Sequence, residues 1–86
     1  MNPNEAVITS KQIIIDMMPI LLVTHDVDGY WQFLSGYEES EKDGRIISLK
    51  EAIGLDSSLK DILWIVEGSE ARRNGLDEEW KISIKN

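Results

Sequence analysis

Residues 19–36 read Pro-Ile-Leu-Leu-Val-Thr-His-Asp-Val-Asp-Gly-Tyr-Trp-Gln-Phe-Leu-Ser-Gly, and the fold turns on how they are read. Two runs rich in β-branched and aromatic residues flank Asp28-Gly29, a dipeptide that tolerates the positive φ of a tight primed turn. The stretch therefore predicts a β-hairpin with strands at residues 20–25 and 30–35. Side chains alternate across a strand, so Tyr30, Gln32 and Leu34 share one face of the second strand, and Trp31, Phe33 and Ser35 share the other. The Trp31/Phe33 face is the natural core side.

Toward the N-terminus, Ala6-Val7-Ile8 predicts a short strand. Thr9-Ser10 can cap a brief helix to about Met17, on the spacing of Ile13, Met17 and Met18, although Ile13-Ile14-Ile15 has an equal claim to be a strand. Pro19 disfavours helix at Met18 and closes whatever precedes it. Toward the C-terminus, residues 37–43 are strongly acidic and predict an exposed loop ending in the turn Asp43-Gly44. Arg45-Ile46-Ile47 reads as a strand. Ser48-Leu49-Lys50-Glu51 matches a capping box and predicts a helix over 49–53, ended by Gly54.

Asp56 is placed to cap a further helix running to about Val66, whose buried stripe is Leu59, Ile62, Leu63 and Val66. Gly68 reads as its C-cap. Residues 69–74 read as another short helix, with Arg72 and Arg73 near its negative end and paired with nearby acids. Trp80, Ile82 and Ile84 alternate with Lys81, Ser83 and Lys85 in a last strand, apolar on one side. Together these elements predict an α+β fold: a small antiparallel sheet of about three to five strands with about two to four short helices packed on one face.

A chain of 86 residues reads as one domain, because a core of this size buries only roughly 60% of the unfolded surface. Cysteine is absent, which removes disulfides and thiolate chemistry. The opening Met-Asn-Pro-Asn-Glu lacks the basic run of a secretory signal, and the longest apolar run, residues 19–23, is too short to cross a bilayer. A cytoplasmic location is expected. Sixteen acidic against nine basic residues give a net charge of -7, a field that repels nucleic-acid backbones and anionic membranes; it either simply solubilises the chain, the preferred reading, or steers a basic protein partner.

His25-Asp26-Val27-Asp28 sets an imidazole beside two carboxylates at metal-ligand spacing, yet the chain has no second histidine and no cysteine. The oxygen ligands that a calcium loop needs after Asp-x-Asp-Gly are replaced by the strand Tyr-Trp-Gln-Phe-Leu, so Asp26 and Asp28 read as turn carboxylates. No serine sits in a Gly-x-Ser-x-Gly elbow, the glycines are dispersed rather than gathered into a phosphate loop, and sixteen acids make some carboxylate pair inevitable. No catalytic residue, metal or cofactor is expected.

The candidate partner surface is the acidic loop, with Tyr37, Glu38, Glu39, Glu41 and Asp43. Trp64 joins it: lying off the centre of the 59–66 stripe, it either widens the buried face, the preferred reading, or projects as an anchor. Two alternatives stand: a metal-dependent or hydrolytic domain centred on His25, and a homo-oligomer formed through an open edge at residues 80–84.

Asp28-Gly29-Tyr30-Trp31-Gln32-Phe33-Leu34-Ser35-Gly36, Ser48-Leu49, Leu55-Asp56-Ser57-Ser58-Leu59, Gly68 with Arg73, and Trp80 together resemble a family of small bacterial domains of unknown function. Some members are assigned as immunity proteins of polymorphic toxin systems. The likeness spans residues 19–80, and its positions are structural: hairpin, caps and core aromatics. Ile65-Val66-Glu67 departs from it, since relatives often carry a proline before the glycine. The family brings no catalytic residues. The resemblance implies a non-enzymatic protein-binding module that neutralises a cognate toxin, a basic one given the acidic surface.

Overall fold

The computed structural model describes residues 2–37 and 39–84, and in it the hairpin sits in the middle of a six-stranded sheet. Glu38 and Lys85 lie outside the described residues. In chain order the elements are β1 (Ala6–Ser10), α1 (Lys11–Ile14), β2 (Leu22–His25), β3 (Trp31–Leu34), β4 (Gly44–Ser48), α2 (Leu49–Leu55), β5 (Ser69–Arg72) and β6 (Lys81–Ile84). Short 3₁₀ turns occupy Glu41–Asp43 and Ser57–Asp61. The strand order is β4-β1-β3-β2-β5-β6, and every neighbouring pair is antiparallel except β1 and β3. The fold is α+β, as the sequence predicts. The sheet is mixed rather than antiparallel, and wider than expected.

Register explains the core. Val23 stands between Phe33 on β3 and Ala71 on β5, all three fully buried. Against this face pack Ile13 of α1, Leu49 and Ala52 of α2, and Leu59, Ile62 and Ile65 of the segment that follows. Trp31 and Phe33 point inward as the alternation requires. The opposite face carries the row Ile46, Ile8, Gln32, Thr24, Glu70 and Ser83, none of which belongs to the core cluster.

Several local expectations are corrected. A primed two-residue turn on Asp28-Gly29 needs positive φ at Asp28, and in type I′ at Gly29 as well, but within the hairpin loop only Gly29 has it, at +91°. The Gly29 amide closes onto the Asp26 carbonyl at 3.0 Å, while the Asp26 carboxylate accepts from the amides of Asp28 and Tyr30. The strands are thus joined by five residues, and Asp26 holds the loop. The helix over 49–53 forms with its capping box intact, but it runs through Gly54 to Leu55. Helix α1 starts at Lys11 and buries Ile13, whereas Met17, expected on the same face, is exposed in a left-handed conformation (φ +58°) that ends the turn.

The stretch over 57–66 is not an α-helix. Amides of Leu59, Ile62 and Ile65 donate to carbonyls three residues back, so the buried positions recur every third residue, the period of a 3₁₀ helix. Val66, which belongs to an α-helical stripe, is therefore turned outward, and Trp64 is 68% exposed rather than widening the core.

Residues 69–72 form a strand instead of a helix. Glu-Ala-Arg favours helix locally, but pairing with β2 on one side and β6 on the other outweighs that preference. Gly68, at φ +87°, steers the chain into the sheet and donates to the His25 carbonyl at 2.7 Å. By register with Ala71 and Ser69, Ile82 and Ile84 of β6 share the core-side face. Both nonetheless remain exposed, Ile84 by 65%. Among the described residues no helix is long and apolar enough to cross a membrane.

Candidate functional site

The acidic loop is folded onto the body of the protein. The Glu39 carboxylate accepts from the amides of Ser35 (2.9 Å) and Gly36 (2.8 Å) and from the hydroxyl of buried Ser10. Asp43 accepts from the Gln12 side-chain amide (2.9 Å) and the Ser40 amide (3.1 Å), with Lys11 nearby. The Gln12 hydrogen bond, helped by Ser40 and the Lys11 charge, holds the Asp43 carboxyl below its ordinary value. Of the predicted loop residues, Tyr37 and Glu41 remain turned to solvent.

His25 is half-buried and stacked on Trp31, with ring centroids 4.0 Å apart. Its Nδ1 lies 2.9 Å from the Ile65 carbonyl. A carbonyl only accepts, so Nδ1 carries a proton. Ser69 stands opposite His25 across the β2–β5 pairing, deeply buried, its hydroxyl without a partner among the described residues. No hydrogen bond joins the two side chains. Among the described residues no three or more histidine, aspartate or glutamate side chains are grouped so that they could hold a metal ion.

Arg72 and Arg73 pair with acids as expected, Arg72 with Glu70 at 2.7 Å and Arg73 with Asp56, but Arg73 does so as a buried polar centre rather than at a helix end. It follows β5 rather than ending a helix, and its side chain is only 2% exposed. Its Nε and Nη2 donate to the Ile20 carbonyl at 3.2 and 2.9 Å, Nη1 donates to the Ser58 hydroxyl at 3.1 Å, and Nη2 also pairs with the Asp56 carboxylate. The guanidinium lies 4.1 Å from the centroid of the Trp80 ring, a cation–π contact. Asp56 caps the 3₁₀ turn through the Ser58 amide, as predicted. Burial pushes its carboxyl up, but hydrogen bonds from Ser58 and Arg73 and the Arg73 charge outweigh that and hold it below its ordinary value. Four distant segments are tied by one side chain. The Asp56, Gly68, Arg73 and Trp80 positions of the quoted motif were the available signal, but a motif does not say which of its members meet.

Beside Trp80 opens a groove of about 430 Å³. Its lining sets apolar Ile62, Leu76, Trp80 and Ile82 and the ring of Trp64 beside Ser58 and the guanidinium of Arg73, already paired with Asp56. The Trp64 indole Nε1 donates to the Asp61 carbonyl at 2.8 Å, which pins an otherwise exposed ring. Asp61, Asp77, Glu78 and Glu79 line the rim. Among the described residues their carboxylates make no hydrogen bond or ion pair.

No family model, curated protein or solved structure matches the chain.

Apolar side chains, a fixed aromatic ring and four carboxylates, with the one lining cation, Arg73, already neutralised by Asp56, suit a long cationic side chain, whose stem packs on the apolar residues while its head meets the carboxylates. Of the described residues expected at a partner surface, only Trp64 stands at this groove. Asp61, Asp77, Glu78 and Glu79 were overlooked because their acids are split between two chain segments that only the fold brings together.

Proposed function

We propose that this chain is a non-enzymatic, cytoplasmic protein-binding module that neutralises a basic protein, a cognate toxin by the resemblance, through its acidic surface. The observation that carries this reading is Trp64, pinned yet 68% exposed, beside four carboxylates without a partner among the described residues. Tryptophan is among the side chains enriched at the few interface positions that carry most binding energy. Carboxylates left unpaired on a chain of net charge -7 speed the approach of a positive partner.

The test is association with the product of the neighbouring gene, measured for the whole chain at low and at high salt. The reading expects fast capture that slows as salt rises, because screening weakens attraction between charges more than a Debye length apart. Capture at the same rate in both conditions, or no protection of cells expressing that gene, would overturn it.

A further inference from the structure

Resting on that reading, we propose that the partner docks as an extended basic strand. It adds to the outer edge of β6 and lays alternate lysine or arginine side chains along the Trp64 groove. Strand β6 ends the sheet: β5 pairs with it on one side, and no described strand pairs on the other. An unpaired edge presents amides and carbonyls at the spacing of one more strand. Its two faces differ in chemistry. By register with Arg72 and Glu70, Lys81 and Ser83 point to the helix-free face. On the other face Ile82 lines the groove and Ile84 follows it, exposed.

Charge selects the occupant. A second copy of this chain would bring its own acidic rim against Asp61, Asp77, Glu78 and Glu79, and a nucleic-acid strand would bring phosphates. A basic strand meets all three features at once. Its backbone pairs with β6, the aliphatic stems of its groove-side residues cover Ile82 and Ile84, and their cationic heads reach the rim and the face of Trp64. Residues on its other side, facing Lys81 and Ser83, are neutral. The ligand class is therefore a peptide that alternates long cations with small uncharged residues.

A short blocked peptide alternating lysine and threonine is the probe, titrated into the whole chain and followed by calorimetry and tryptophan emission. Binding is expected to weaken about tenfold or more in Trp64→Ala and in the double change Asp77→Lys with Glu79→Lys, as at interface hot spots. It should stay within about twofold in Ile46→Thr on β4, at the opposite edge of the sheet. N-methylating either all lysines or all threonines should abolish binding for one set and spare it for the other, because a strand offers alternate amides to opposite edges. Binding that ignores Trp64 and the rim, equal effects of the two methylated peptides, or no binding at all would overturn the proposal. Failure of the broader reading shows differently, as a toxin that this folded chain does not capture.

Discussion

Two acidic regions of this protein look alike in sequence and behave oppositely in the fold. In the loop after β3, the carboxylates of Glu39 and Asp43 accept hydrogen bonds from backbone amides and from side chains of β1 and α1. They are part of the scaffold. Around the groove, Asp61, Asp77, Glu78 and Glu79 have no such partners among the described residues and surround an exposed tryptophan. On the proposed reading, negative charge serves binding where the fold leaves it unsatisfied beside an exposed aromatic ring. Asp56 is the extreme of the first kind, paired with the almost fully buried guanidinium of Arg73.

The sharpest way to break this distinction is Arg73→Ala. It strips the partner from Asp56, removes both donors to the Ile20 carbonyl and uncovers one face of Trp80. Breaking a buried pair this way costs about 3–5 kcal/mol, against a total of about 4–13 kcal/mol for a chain of this length. Urea unfolding should show the midpoint collapsing, and a loss under about 1 kcal/mol would contradict a structural role. Glu39→Ala comes next. It leaves the Ser35 and Gly36 amides and the Ser10 hydroxyl without their acceptor, at a cost of about 1–3 kcal/mol, while peptide binding at the groove should not change.

Acid provides a third separation. Asp56 and Asp43 have folded-state values below the ordinary 3.8, so the stability they contribute is fully present above that pH and is lost as pH falls through the lower folded-state values. Urea midpoints should therefore drop below about pH 3.8, and Asp56→Asn should lower the neutral-pH midpoint while flattening this acid limb. An acid limb as steep in the variant as in the parent chain would remove Asp56 from the scaffold. The smallest effect on stability belongs to the rim: Asp77→Asn, Glu78→Gln and Glu79→Gln should each shift unfolding by no more than about 0.5 kcal/mol while slowing a basic partner.

Much of the fold was legible because local chemistry decided it. Alternation placed Trp31 and Phe33 inward, and Ser48 with Glu51 announced the start of α2. What failed was decided by distant pairing. Apolar spacing from Leu59 onward fits α-helix and 3₁₀ alike until Ile65 rather than Val66 is seen to be buried, and that choice sent Trp64 outward. Residues 69–72 carry helix-forming side chains, and only their place between β2 and β6 makes them a strand. The parallel contact of β1 with β3 bridges elements that have α1 and β2 between them, so no local pattern encodes it. Trp64 was singled out as an anchor candidate. The rim that gives it meaning needed the fold to join residue 61 to residues 77–79.

The most direct measurement is the association rate of the lysine–threonine peptide across a salt series, for the parent chain and for the chain carrying Asp77→Asn, Glu78→Gln and Glu79→Gln together. Unpaired rim carboxylates predict a parent rate that falls steeply with salt and a variant rate that starts low and stays nearly flat. A variant that keeps both the parent's rate and its salt slope would mean that the rim does not attract the partner, and the division between scaffold acids and binding acids would be wrong.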